Sequence, residues 1–113
     1  MATIAQILGK KWPGNTWTVG QTYESLVWSE SNTDPKPTSG SIAAYDAEVT
    51  TELKWDSVRR ERDRYLTACD WTQLADSPLS ASAKTEWATY RQELRDVPQD
   101  QLDPDNISWP STP

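Results

Sequence analysis

The sequence predicts an α+β fold: a small N-terminal β-hairpin with a short helix, then an antiparallel helical hairpin and an extended C-terminal tail. Three observations predict it. Strand-like alternation of apolar and polar residues is confined to residues 16–29. Two apolar stripes with spacings of three and four residues run through residues 55–69 and 83–97. The stretch from Pro98 onward, PQDQLDPDNISWPSTP, is rich in proline and acidic residues and has too little apolar surface to fold alone. The chain accordingly divides into a β-rich docking segment with a proline-rich linker (1–37), a helical hairpin (38–98) and an extended tail (99–113).

Each element follows from local signals. Ile4, Ile7 and Leu8 recur at helical spacing before Gly9 and the Trp12-Pro13-Gly14 turn, which allows one or two helical turns. Residues 16–20 (TWTVG) and 22–29 (TYESLVWS) alternate through Trp17/Val19 and Tyr23/Ser25/Val27, predicting two short strands joined by a tight turn at Gly20-Gln21. Residues 30–40 (ESNTDPKPTSG) hold no large apolar group and form a connector, extended around Asp34 to Pro37. Ser41 then caps a helix with the stripe Ile42, Tyr45, Val49 and Leu53. The following set, Trp55, Val58, Tyr65, Leu66 and Cys69, points roughly 150° away at 100° per residue. Two readings fit that change of phase: a break near Leu53-Lys54, or a continuous helix whose halves face different neighbours. The absence of Gly and Pro from residues 41–69 favours continuity.

Asp70 to Leu79 (DWTQLADSPL) reads as a loop. A second helix starts at about Ser80 or Ser82 and runs to Val97, where Pro98 stops it. Its stripe of Ala83, Trp87, Tyr90, Leu94 and Val97 matches Trp55, Val58, Arg62, Tyr65 and Cys69, predicting rods packed like a short coiled coil. In the tail only Leu102, Ile107 and Trp109 can anchor.

Composition bounds the function. The 113 residues carry 11 basic and 17 acidic side chains, a net charge of −6 that repels a phosphate backbone. Residues 1–53 hold three positive and six negative groups, 54–98 eight of each, and 99–113 three negatives only, so no basic face is set aside for nucleic acid. No segment approaches the roughly 18 apolar residues of a membrane span. MATIAQILGKKWPG lacks a signal core and cleavage site, so the chain reads as cytosolic at synthesis. With one cysteine and no histidine, an internal disulfide and the usual zinc sets are excluded, and no metal or other cofactor is expected. Cys69 has no histidine to activate it and reads as core; no catalytic residue is assigned, because a general base tuned near neutrality is missing. Asp100, Asp103 and Asp105 lack the glycine and closing glutamate of a calcium loop.

Seven tryptophans with no phenylalanine form an unusual set of rigid anchors for a core or an interface. Trp12, Trp17 and Trp28 are candidates for a glycan or docking platform, or equally for packing. Arg62 lies in the apolar seam, where either a carboxylate such as Asp70 or one near Asp96 receives it, or it reaches out to water. Arg59 and Asp63 are four residues apart and can pair. Arg59, Asp63, Arg91, Arg95 and Asp96 form either a polar surface that docks a partner's backbone or carboxylates, or a solvated charge network. Trp71 is placed to fold back as a lid, and Trp109-Pro110 to act as a clip that inserts a ring into a groove while proline keeps the backbone extended.

The run Trp55-x-x-Val58-Arg59-x-x-Arg62-Asp63-x-x-Leu66-x-x-Cys69-Asp70-Trp71-Thr72-Gln73, then Asp76-x-Pro78-Leu79 and Trp87-x-x-Tyr90-Arg91-Gln92-x-Leu94-Arg95-Asp96-Val97-Pro98, resembles the tail assembly chaperone family of bacteriophages. Trp109-Pro110 resembles the family's Trp-Pro ending. The resemblance covers residues 54–110, and the first 37 residues are similar to leader segments ahead of this domain in phage tail proteins. It implies a non-enzymatic tail protein that attaches to, or helps assemble, tail fibres or the baseplate, working in the host cytoplasm and then in the virion tail. Its implied partners are fibre or baseplate proteins, with other copies of the chain as a further candidate, and neither nucleic acid nor membrane. Trp55, Arg59, Arg62, Asp63, Trp71, Arg91, Arg95, Trp109 and Pro110 are the residues expected to meet a partner. The competing expectation is a host-adhesion module that binds glycans through Trp12, Trp17 and Trp28.

Overall fold

A computed structural model describes residues 1–113. The chain folds as two compact units, Met1–Leu53 and Lys54–Pro113. It is an α+β protein, with one two-stranded antiparallel sheet and four α-helices.

In the first unit, α1 (Ile4–Lys11) opens with a reciprocal cap: Thr3 Oγ1 accepts the Gln6 N–H, and the Thr3 N–H donates to Gln6 Oε1. Its two turns bury Ile7 and Leu8. Gly14, at φ 81°, supplies the left-handed turn after the helix that a side chain would resist. The strands are shorter than the alternation predicts. Only β1 (Trp17–Thr18) and β2 (Val27–Trp28) pair, in the register Trp17↔Trp28 and Thr18↔Val27.

The tight turn at Gly20-Gln21 is therefore corrected to a wider connection containing a 3-10 turn at Tyr23–Ser25. Side-chain bonds have replaced the ladder there. Ser25 Oγ donates to the Thr22 carbonyl and accepts the Gly20 N–H, while Tyr23 Oη donates to the Pro37 carbonyl. The parity of the second strand shifts as a result, so that Leu26 is buried and Val27 lies exposed. The connector is pinned to β1: Asn32 accepts the Thr16 N–H and donates to the Thr16 carbonyl, like a strand made of one side chain.

Thr38, not Ser41, caps the next helix; its Oγ1 accepts the Ser41 N–H. The helix expected from Ser41 is two helices, α2 (Ser39–Ala44) and α3 (Asp46–Ala68). The break falls at Tyr45, whose ring meets Trp12 edge-on at 5.7 Å, next to Asp46, whose Oδ1 accepts the Ala2 N–H at 2.8 Å. These contacts within the unit override local helix propensity. No break occurs at Leu53-Lys54, where α3 continues. The core of this unit is Ala2, Ile7, Leu8, Leu26, Ile42 and Val49. Lys11 ties α1 to α3 through Glu52 at 2.8 Å and Glu48 at 3.1 Å.

In the second unit, the rest of α3 is followed by a 3-10 turn at Asp70–Gln73 and by α4 (Ala81–Asp100). Ser80 caps α4, its Oγ accepting the Ala83 N–H. Pro98 does not stop this helix. Although proline gives up its own N–H and crowds the carbonyl one turn back, the Gln101 N–H still reaches the Val97 carbonyl at 3.1 Å, so a further turn survives. The seam residues Val58, Cys69, Tyr90, Leu94 and Val97 are buried, as the matching stripes require. The pairing is antiparallel: Leu66 and Asp70, at the end of α3, meet Arg91 in α4, while Lys54 meets Asp105 beyond the end of α4. The tail then doubles back. Gln101 donates to the Ser108 carbonyl and accepts its N–H, both at 2.8 Å.

Candidate functional site

The turn joining α3 to α4 concentrates the chain's unusual residues. Cys69 ends the first rod, buried, with Sγ donating to the Tyr65 carbonyl. Thr72, the one fully buried polar residue, donates Oγ1 to the Cys69 carbonyl at 2.6 Å and so tightens the turn. That turn lifts Trp71 outward. Its ring lies against Trp87 at 6.4 Å with a 53° tilt, yet 47% of the residue stays exposed, and Leu74 beside it is 55% exposed. Lys84 and Gln73 brace the loop: Lys84 Nζ donates to the Leu74 carbonyl and Gln73 Nε2 to the Lys84 carbonyl.

Arg91 holds this turn from within. Its side chain is only 11% exposed; Nη1 donates to the Leu66 carbonyl at 2.8 Å and to Cys69 Sγ at 3.1 Å, and Nη2 to Asp70 Oδ1 at 2.8 Å. Burial pulls its pKa down, but the Asp70 carboxylate and the Cys69 sulfur outweigh burial and leave it above the ordinary value. Arg91 thus closes the C-terminal end of α3, adding a charged donor to the Leu66 carbonyl, which also accepts the Cys69 N–H at 3.2 Å.

The expected partner residues separate into two groups. Arg62 does not reach Asp70 or Asp96. It is held by its neighbour Asp63, with Nε and Nη2 each 3.0 Å from Oδ1, and the buried-guanidinium role falls to Arg91. The Arg59–Asp63 pair is replaced by Arg59 with Asp56 at 3.6 Å, because Arg62 has taken Asp63. Trp109 meets Tyr65 edge-on at 5.1 Å and packs on the cluster of Cys69, Tyr90 and Leu94, with Pro110 half-buried behind it. Trp55 is half-buried as well, so that Arg59, Asp63, Trp71 and Arg95 are the members left exposed, the first two already in ion pairs along α3. Trp87, Arg91 and Arg95 recur every four residues and share one side of α4, with Trp71 stacked on the first.

Leu74 escaped the sequence reading, and Thr72 entered it only within the family resemblance, with no role. Leu74, a lone large aliphatic residue in a polar loop, carried a weak signal; a threonine bound for full burial looks like any other by residue type. In the first unit, Trp12, Trp17 and Trp28 are half-buried against the core, and Trp28 Nε1 donates to the Asp34 carbonyl at 2.9 Å. Much of their area is spent on packing. No group of three or more His, Cys, Asp or Glu side chains is arranged to hold a metal ion, and no helix is long and apolar enough to cross a membrane.

What the second unit offers chemically is a rigid turn with two half-exposed apolar side chains, Trp71 and Leu74, and one exposed guanidinium, Arg95, on the Trp87 side of α4. That arrangement suits the grip of another polypeptide. No curated protein and no solved structure matches the chain significantly. A family model described as phage tail assembly chaperone protein matches residues 55–113, just over half of the chain and nearly all of the second unit. The chain belongs to the phage tail assembly chaperone family.

Proposed function

We propose that the protein is a non-enzymatic adaptor that docks on tail fibre or baseplate subunits through the tip of its helical hairpin, acting in the host cytoplasm during assembly and remaining in the virion tail. The observation that carries this reading is the exposure of Trp71 and Leu74 side by side on a turn that Thr72 and Arg91 make rigid. An anchor of this kind loses little conformational entropy on binding, because its backbone is already fixed. Arg95, exposed on the same side of α4 as Trp87, adds a forked donor for a partner's carboxylate or carbonyl. Support for a binding role over catalysis comes from the lack of histidine and the burial of the single thiol beneath Arg91.

Co-expression of the tagged chain with the fibre and baseplate subunits of the same phage, followed by affinity capture, tests the reading. The native chain is expected to retain one of them. The Trp71→Ala/Leu74→Ser variant should lose it by at least about tenfold while melting within a few degrees of the native chain, as exposed substitutions do. Capture of no fibre or baseplate subunit, or equal capture by the variant, refutes the proposal. Mass spectrometry of purified particles separates the permanent component, expected here, from a helper that leaves before maturation.

A further inference from the structure

We propose that the segment Ser108–Pro113 is an exchangeable strap, and that the groove it fills between α3 and α4 also receives the same segment of a second copy of the chain. One side chain seats the strap. Trp109 packs on Tyr65, Cys69, Tyr90 and Leu94, whereas the remaining ties are at the surface: the Gln101 amide on Ser108, and Lys54 with Asp105 at 2.9 Å, their side chains 44% and 60% exposed.

The strap borders open clefts rather than a sealed interior: one of about 170 Å³ among Tyr65, Ala68, Cys69, Trp87, Tyr90 and Thr112, and one of about 250 Å³ that flanks Trp109 and Pro110 along α4. The tether is loose as well. Residues 102–107 interleave Leu102, which is 92% exposed, Pro104 and Ile107 with Asp103, Asp105 and Asn106, and their bend is held by Asp103, which accepts the Asp105 N–H and the Asn106 amide. Straightened, those six residues span about 20 Å, enough to carry the strap away from its own groove.

A second copy is the fitting occupant because the segment shown to fit this groove is the chain's own. Exchange preserves every contact of the ring and alters only the hinge, which makes it a low-cost route to association. The tethered strap acts at an effective concentration of about a millimolar, so dilute copies stay closed upon themselves. Copies gathered at that density, as on one assembly, exchange. The apolar seam remains covered in both states.

Thr112 and Cys69 line one cavity, and this gives the test. Full-length Thr112→Cys protein, treated with oxidised glutathione at micromolar concentration, is expected to form an internal disulfide between positions 69 and 112, with two glutathione thiols released. Next, Cys69→Ala/Thr112→Cys copies are mixed with native copies and oxidised. Exchange predicts a reducible heterodimer, mapped by peptide mass to Cys69 and position 112. Its yield should rise at least tenfold between about 10 μM and 1 mM. Adding Trp109→Ala to the strap donor should abolish most of it. Failure of the internal disulfide overturns the placement of the strap over the groove. An internal disulfide without heterodimer at 1 mM shows a fixed strap and overturns exchange. No fibre or baseplate protein enters the experiment, so its outcome is independent of hairpin-tip docking.

Discussion

Arg91 shows how much one side chain can decide in so small a unit. Its guanidinium joins the Leu66 carbonyl of α3 to the Asp70 carboxylate and to α4, so truncation removes two charge-assisted bonds that fasten the turn and leaves the Cys69 sulfur without that donor. Arg91→Ala is expected to cost about 2 kcal/mol, which a urea titration of the full chain measures. Arg91→Lys should recover less than half of that, because a single ammonium cannot serve the Leu66 carbonyl and Asp70 in a fork. The sequence named Arg91 as a docking residue and gave the buried pairing to Arg62. Arg62 lies in its helix's apolar stripe and Arg91 only beside the other, yet the turn at Asp70–Gln73 brings Asp70 to Arg91. Pairing geometry of this kind depends on tertiary approach, so spacing along the chain does not reveal it.

At the scale of elements, the helices were legible and the strands only in part. The start of α4 at Ser80, one of two serines the sequence offered, and the seams through Val58, Cys69, Tyr90 and Leu94 follow from residue type and period, whereas the cap expected at Ser41 fell to Thr38, three residues earlier. The break at Tyr45 has no Gly or Pro to announce it, since it arises from Trp12 and Ala2, distant in sequence. The alternation in residues 22–29 overstated the second strand, because Ser25 satisfied the Gly20 and Thr22 backbone groups locally and Tyr23 was drawn to the Pro37 carbonyl.

The tail is an element whose stability rests on one ring. Trp109→Ala is expected to lower the stability of the second unit by about 2 kcal/mol, less than a fully buried tryptophan would cost. It should also raise amide exchange in residues 108–113, as hydrogen–deuterium exchange would show. The hinge before it is acid-sensitive. The Asn106 amide, then the Asp105 N–H and the nearby Lys54 charge hold the Asp103 carboxyl below its ordinary value. A carboxylate with a lowered folded pKa contributes fully above its unfolded value of about 4, and the contribution fades as pH falls through the folded value. The Asn106 side-chain amide signals in NMR should therefore hold steady from pH 7 to about 5 and shift below about pH 4. A bend that tightens on acidification would contradict this.

Across the whole molecule, the family match covers the unit that holds the hairpin and strap, while the first unit lies outside it. The aromatic excess divides accordingly. Trp12, Trp17 and Trp28 help build a first unit whose sheet is only two short strands, and Trp87 and Trp109 complete the core of the second. Trp71 is the tryptophan left nearly half in water on a rigid turn. Its exposure was not readable from the sequence, since nothing in DWTQ distinguishes a lid from an anchor. The presence of an aromatic at the end of the first rod was.

Hydrogen–deuterium exchange of the intact chain, alone and in complex with the fibre or baseplate subunit it retains, tests the central claim most directly. Docking through the hairpin tip predicts at least about tenfold slower exchange across residues 70–79 in the complex, with residues 16–34 unchanged. Protection confined to residues 16–34, with the tip exchanging as fast as in the free protein, would contradict it.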